Sequence, residues 1–514
     1  MGELDWVELF DKISSPAPEE KGQVSSSAAA EGIVSLEDSP KEDEKTDEQL
    51  QADFEIEAQE FEAEGTLKTD IPLYDFQQEA VKHITTHIPP HARGPICLLA
   101  DEQGMGKTRQ LIAAAVELDQ FPCVALMPAN LVKKWIEDFN NLAPQLSVKV
   151  ARRLDEDSWW DGADVVFVSY SNATPIDDAI LPPKDFFKCY LADEAHFLKN
   201  PAARRTAYAY GIRRRSLYAA CFLATGTPLY SRPSDLITQL EILGQLQVLG
   251  GAGIFRKWFV RPYQGGEVAK NGDVLHEILR KYCNLVRRTK DGRLTPKTRS
   301  LIPVTFPREV VEEYRQLEAE ARWLRRNKQM YLGAVTRMRQ CLSTAKIEWV
   351  ATWIADFLRD HPGRSLLAFG FFVETLEQLA RRFPDAAVYY GKTPKQKKEE
   401  IRKDFQAGKY RLFLGNFVSA GVGLDLFAAA DVVFFDLPWT ASELFQAEDR
   451  VHRFGQTRPV TVHIPYFEGT RDERQIRAIV RRAKDAKLVV DGQVWTPESF
   501  LEASRGADGD MLGS

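Results

Sequence analysis

From Ile71 onward, short, largely apolar runs alternate with stretches of helical periodicity. One set lies at residues 96–100, 124–127, 165–168, 190–192 and 221–224, and a second at 365–369, 387–390, 411–414, 432–435 and 460–464. Runs so poor in polar residues read as buried parallel strands joined by helices. Between the sets, residues 230–360 carry helical periodicity and many basic side chains, including Arg287, Arg288, Lys290, Arg293 and Lys297. No short-period repeat interrupts the pattern. The expected fold class is therefore α/β, with two parallel-sheet domains and helical insertions between them.

The first 66 residues read differently. Residues 14–66 are rich in Ser, Ala, Glu, Gln and Asp, too polar to bury a core, and are expected to be disordered. Trp6, Leu9, Phe10 and Ile13 follow i, i+3, i+4, i+7, the stripe of a short amphipathic helix over residues 4–13. That stripe fits a protein partner or a contact with the chain's own surface. The net charge of −7 conceals a split. Residues 1–66 hold 20 acidic and 4 basic residues, leaving 54 acidic and 63 basic ones for the rest. An acidic tail on a mildly basic body is compatible with a polyanionic partner, and equally with a solvated surface. The tail's charge also fits a restraint that occupies the partner's cleft until the partner displaces it.

Length and composition narrow the class. At 514 residues the chain exceeds a single ordinary domain, so two or three cores are expected. No run of eighteen apolar residues is present, and residues 1–20 lack a basic start followed by an apolar stretch. Neither a membrane span nor a secretory signal is expected. The cysteines at 97, 123, 189, 221, 283 and 341 form no Cys-x-x-Cys pair, which argues against zinc and against a disulfide framework. The reading is an intracellular, reduced protein.

Three segments carry chemistry. The first is Asp101-Glu102-Gln103-Gly104-Met105-Gly106-Lys107-Thr108, between a predicted strand and a predicted helix. Gly104 and Gly106 let backbone N–H groups wrap a phosphate chain, and the helix N-terminus adds partial positive charge. Lys107 reaches the terminal phosphates and Thr108 suits Mg²⁺. The strict pattern has glycine where Asp101 stands, so the segment alone also fits a plain glycine turn.

The second segment, Asp193-Glu194-Ala195-His196, places two carboxylates at a strand end, an expensive arrangement without cationic compensation. Asp193 suits the Mg²⁺ shell and Glu194 an attacking water. A solvated charge pair is the plainer alternative. The third runs from Gln446 to Gln456, with Arg450 and Arg453 at i and i+3 on one predicted helix face. Two guanidiniums aimed across a cleft stabilise a transferring phosphoryl group; a surface ion-pair ladder with Glu448 and Asp449 is the alternative.

In this order the segments resemble the Swi/Snf-type ATPases of helicase superfamily two, over about residues 70–470. Leu73-Tyr74-Asp75-Phe76-Gln77 is similar to the family's adenine-reading segment, which points to Gln77. Thr225-Gly226-Thr227-Pro228-Leu229 looks like the segment coupling hydrolysis to movement, and Leu285-Val286-Arg287-Arg288-Thr289-Lys290 like the junction between lobes. Residues 415–426 and 446–456 look like the last two motifs, and Arg453-Phe454-Gly455-Gln456 is diagnostic of this group. Two departures stand out: Ser231 where asparagine is common, and Gly421-Val422-Gly423-Leu424-Asp425 for a commoner Gly-Gly-x-Gly-x-Asn.

The resemblance implies two RecA-like lobes with ATP and Mg²⁺ between them. Gln77, Gly104, Gly106, Lys107, Thr108, Asp193 and Glu194 would serve from the first lobe, and Arg450 and Arg453 as arginine fingers from the second. Thr108 and Asp193 would hold the metal. The implied division is a tail at 1–66, a first lobe with a helical protrusion at 67–295, a second lobe with a protrusion at its start at 296–470, and a helical brace and tail at 471–514. Lys133, Lys134, Ser419 and Gly421 would contact DNA, with exposed helix lysines as the plainer reading of the first two. Lys392, Lys395, Lys397 and Lys398 form a further basic cluster, and His452 reads as structural.

The function so implied is a monomeric motor that hydrolyses ATP to move along double-stranded DNA and remodel protein–DNA complexes or branched and forked DNA. The last motif is similar to the fork-remodelling, strand-annealing branch. An ATP-sensing clamp without turnover and a strand-separating helicase are the alternatives. The length fits a compact prokaryotic or phage motor in the cytoplasm, with the nucleus as its place in a eukaryote.

Overall fold

Two parallel sheets organise the chain, each covered by helices on both faces. The computed structural model describes residues 71–492 except 153, 155–157, 174–180, 218, 264–265, 290–293, 418–425 and 454. The acidic tail and its Trp6, Leu9, Phe10, Ile13 stripe lie outside the described residues.

The first sheet is built in the order α1 (Asp75–Thr86), β1 (Ile96–Leu99), α2 (Lys107–Leu118), β2 (Cys123–Met127), α3 (Val132–Leu142), β3 (Val148–Val150), β4 (Val165–Ser169) and β5 (Cys189–Asp193). It continues through α4 (Arg204–Arg215), β6 (Ala220–Ala224), α5 (Leu236–Leu243), α6 (Gly251–Phe259), an antiparallel hairpin of β7 (Val260–Tyr263) and β8 (Gly266–Ala269), α7 (Gly272–Cys283) and β9 (Leu285–Val286). The strand order is β3-β4-β2-β5-β6-β1-β9. Every residue of β1, β2, β4, β5 and β6 is buried, as the unbroken apolar runs require.

The second sheet follows as β10 (Lys297–Val304), α8 (Arg308–Trp323), α9 (Lys328–Asp360), β11 (Leu366–Gly370), α10 (Val373–Arg382), β12 (Ala387–Tyr389), α11 (Lys395–Gln406), β13 (Leu412–Asn416), β14 (Asp431–Phe434), α12 (Ala441–Glu448) and β15 (Val460–Phe467), in the order β10-β15-β14-β11-β13-β12. The last described helix is α13 (Arg471–Asp491).

All ten runs are strands, with ends within three residues of those read. The region assigned to helical periodicity also contains strands β7 to β10. Lys297-Thr298-Arg299-Ser300 has no apolar run because β10 is an edge strand, paired only with β15, and an edge also tolerates Pro303. No described helix is long and apolar enough to cross a membrane.

Register places the chemistry. Leu99 and Asp193 both lie beside Ala224, so β1, β5 and β6 end together. The segments that follow them therefore meet at the carboxyl edge of the sheet, where open α/β sheets place ligands. Helix α13 joins the two halves. Ile476, Ile479 and Ala483 belong to the core of the second sheet, while Val489 and Val490 belong to that of the first.

Candidate active site

The phosphate loop turns on two glycines at positive φ, Gly104 at +83° and Gly106 at +74°. Gly106 is the residue before α2, and a Cβ there would fall 2.3 Å from the Gln77 amide nitrogen. Close approach as well as conformation thus demands glycine. Gln77 donates to Met105 O at 3.0 Å and accepts from Tyr74 N at 3.1 Å, which seats α1 on the loop. Lys107 donates to the carbonyls of Asp101 (2.9 Å) and Glu102 (3.1 Å). Burial lowers its pKa, against the raising effect of Glu194, Asp101 and Asp193.

Thr108 Oγ1 donates to Asp193 Oδ2 at 2.9 Å, and Asp193 Oδ1 accepts the Glu194 N–H at 2.9 Å. Glu194 holds a left-handed backbone, φ +51°, rare outside glycine and a mark of a constrained site. Its carboxylate lies 3.3 Å from His196 Nδ1, which is itself 3.1 Å from Thr225 Oγ1. Burial pushes Glu194 up, but His196, Lys107 and Arg450 outweigh it and hold the carboxyl at about 2. Asp193 moves the other way, raised by burial and by Glu194 against the hydrogen bonds from Trp135 and Thr108. Glu194 therefore keeps its charge at neutral pH.

A hydroxyl and a carboxylate this close make a hard-oxygen pair suited to Mg²⁺ when phosphate oxygens complete its shell. Among the described residues no three His, Cys, Asp or Glu side chains converge as a cage of their own. The positive-φ loop and this pair fit a Mg²⁺–nucleotide rather than a metal alone.

The second lobe contributes Arg450, whose charge reaches Glu194. Helix α12 ends at Glu448, however, so Arg450 and Arg453 do not share a helix face as their spacing predicts. They sit in the turn that follows, with Arg450 N bonded to Ala447 O (3.3 Å) and Arg453 N to Val451 O (3.2 Å). The turn is stapled from below: Glu448 accepts from Lys297 and Arg299 of β10 at 2.6–2.8 Å, and Gln456 donates to Ala429 O at 2.7 Å. His452 Nε2 lies 2.7 Å from Thr295 O. Ser442 donates to Tyr230 O at 2.8 Å, tying the lobes beside Thr225 and Thr227. A cavity of about 670 Å³ opens between the lobes, lined by Glu102, Gln103, Thr227, Pro296, Phe445 and Asp491 among others.

Two comparisons with family models decide the assignment. The SNF2-related domain matches residues 76–347 and the helicase conserved C-terminal domain residues 346–455. The chain belongs to the SNF2-related family. The mouse protein named DNA annealing helicase and endonuclease ZRANB3 is 27% identical over 431 residues, 77% of this chain and 39% of that protein. The Xenopus laevis SWI/SNF-related matrix-associated actin-dependent regulator of chromatin subfamily A-like protein 1 is 26% identical over 473 residues, 86% of this chain and 48% of its own. The chain spans less than half the length of these two relatives. The Sulfolobus solfataricus SWI2/SNF2 ATPase core in complex with dsDNA aligns with a TM-score of 0.39 at 22% identity, covering 86% of this chain and 99% of that one.

In this SNF2-related chain Asp101, the departure from the strict phosphate pattern, is a buried anchor. Its carboxylate accepts the Arg288 backbone N–H and Nε at 3.0 Å each, pairs with the Arg288 terminal nitrogen, and accepts from Gln110 at 3.1 Å. Ser231, the other describable departure, donates from N (2.7 Å) and Oγ (3.0 Å) to Asp235, closing a local turn. Lys133 and Lys134 stand exposed on α3, Lys133 3.7 Å from Glu137 and within electrostatic reach of Glu399 on α11. Ser419 and Gly421 lie outside the described residues. Sequence reasoning missed Trp135, fully buried, whose Nε1–H donates to Asp193 Oδ2 at 3.0 Å. A tryptophan inside an amphipathic helix reads as core, and only the fold shows its polar edge meeting a carboxylate.

Proposed function

We propose that the chain is an ATP-driven DNA translocase that hydrolyses ATP between its lobes and moves along double-stranded DNA, acting on forked or branched DNA or on protein–DNA complexes. The carrying observation is a site split across two lobes: Lys107, Thr108, Asp193 and Glu194 on one, and the charge of Arg450 reaching Glu194 from the other. Such a site is complete only when the cleft is closed, which ties chemistry to lobe movement.

Gln77 would meet the base, and the backbone N–H groups around Gly104 and Gly106 would wrap the phosphates. Lys107 would leave its loop carbonyls for the terminal phosphates. Mg²⁺, held by Thr108 and Asp193, would neutralise charge on the phosphate oxygens. Glu194, ionised, would orient the attacking water, and Arg450 and Arg453 would stabilise charge on the transferring group. Lysines of α3 (Lys133, Lys134) and α11 (Lys397, Lys398), with Ser419 and Gly421, would follow the DNA backbone. The mouse relative is named a DNA annealing helicase, which supports DNA as the substrate.

The test is ATP hydrolysis by the parent and by Lys107→Ala, without nucleic acid and with duplex, single-stranded and forked DNA. Stimulation by duplex or fork that the lysine variant loses is expected. Hydrolysis on none of them overturns the reading in favour of a binding clamp, and separation of strands in a fork assay would make the chain a helicase.

A further inference from the structure

The loop that carries Lys107 is fastened to the far end of the helix that joins the lobes. Strand β9 continues beside the phosphate loop: Ala100 N bonds Val286 O at 2.8 Å and Glu102 N bonds Arg288 O at 3.2 Å. From there Arg287 donates to Ala100 O at 2.6 Å and lies 3.5 Å from the Glu102 carboxylate. Its Nε pairs with Asp491, the last residue of α13. Lys487, one turn earlier, reaches Asp491 at 2.7 Å and Glu102 at 4.0 Å. Glu102 and Asp101 are the residues whose carbonyls hold Lys107.

The network is enclosed enough to have a defined geometry. The Asp491 side chain is 3% exposed and that of Arg287 13%. Helix α13 is bedded in both lobes. Gln475 and Arg482 donate to the carbonyls of Pro438 and Trp439 in the second, while Asp485 accepts from Ala269 N and Val489 O meets His276 Nδ1 in the first. A shift of the second lobe that drags α13 therefore pulls on Arg287, and through it on the loop.

We propose that Asp491 and Lys487 are positioning residues for ATP: they orient Arg287 so that the phosphate loop is set for nucleotide when α13 is seated across both lobes. The inference rests on the ATP-motor reading above and adds that ATP affinity is governed from the lobe-bridging helix.

The experiment measures the affinity of a fluorescent ATP analogue, duplex DNA affinity, KM for ATP, kcat and melting temperature for the full chain, Asp491→Asn, Asp491→Glu, Lys487→Met and Arg287→Met. Loss of one buried charged hydrogen bond corresponds to roughly a tenfold change in affinity. Asp491→Asn is expected to raise KM and the analogue Kd about tenfold with DNA affinity unchanged, and Asp491→Glu to recover part of it. Lys487→Met should give a smaller shift in the same direction. The double variant Arg287→Met with Asp491→Asn should bind no worse than Arg287→Met alone. Parent-like ATP affinity in Asp491→Asn and Lys487→Met overturns the inference. So does a joint loss of ATP and DNA binding that tracks melting temperature, which marks a purely structural brace. A parent that binds no nucleotide overturns the motor reading itself, whereas a parent that binds and variants that match it overturn this inference alone.

Discussion

The indole Nε1–H of Trp135 donates to Oδ2 of Asp193 at 3.0 Å, the same oxygen that accepts the Thr108 hydroxyl at 2.9 Å. The ring is completely buried and meets Phe167 edge-on at 6.0 Å, so its donor has one direction to point. Asp193 is thereby held toward α2 by a residue of the neighbouring helix α3. Trp135→Phe keeps most of the packing and removes the donor. We expect ATP turnover to fall about tenfold to a hundredfold, the effect of losing a hydrogen bond to a charged group. Steady-state hydrolysis with duplex DNA checks this, and an unchanged rate would mean that Thr108 suffices.

Gly226 brings the segment after β6 against the phosphate loop. A Cβ there would sit 2.8 Å from Gln103, closer than side chains tolerate. Gly226→Ala is expected to push Gln103 aside and lower DNA-stimulated turnover several-fold. Adding Gln103→Ala should restore much of the loss, because the obstruction is then removed. A double variant as slow as the single one would place the defect in the backbone instead.

Lys133 and Lys134 test the DNA face. Both are exposed on α3, where they make little contribution to packing. Replacing both with alanine should weaken duplex binding and reduce the slope of log affinity against log salt by about 0.9 per lost phosphate contact. Melting temperature should not move. An unaltered salt slope would assign the lysines to solvent.

The Arg450 turn has its own pH dependence. Glu448 is fully buried, and although burial pushes it up, Arg299 and Lys297 hold its carboxyl at about 2, against an ordinary 4.5. A depressed folded-state pKa contributes stability that is complete above about pH 4.5 and fades as pH falls toward 2. At about 1.4 kcal/mol per pH unit this amounts to about 3 kcal/mol. Denaturant unfolding at pH 6 and pH 3 should show about 2 kcal/mol of that loss in the parent, the remainder going as pH falls through 2. Glu448→Gln should lose it at both, being destabilised by about 3–5 kcal/mol because buried Arg299 and half-buried Lys297 are left without their carboxylate.

The sequence alone determined ten strands of the two sheets, since a run dominated by apolar positions is buried; β3 and β9, of three and two residues, are too short to register. It also determined the loop from Asp101 to Thr108 and the Asp193-Glu194 pair, because phosphate and metal chemistry confines residue types to short local spacings. Edge strand β10 escaped, because one of its sides meets solvent and its pattern is mixed. The i, i+3 spacing of Arg450 and Arg453 predicts a helix face, because spacing does not reveal that α12 stops at Glu448. Trp135 at Asp193, Arg288 at Asp101 and Asp491 at Arg287 were decided only by tertiary structure. Each pair is separated by tens to hundreds of residues along the chain and joined by strand order and helix packing, which no local pattern encodes.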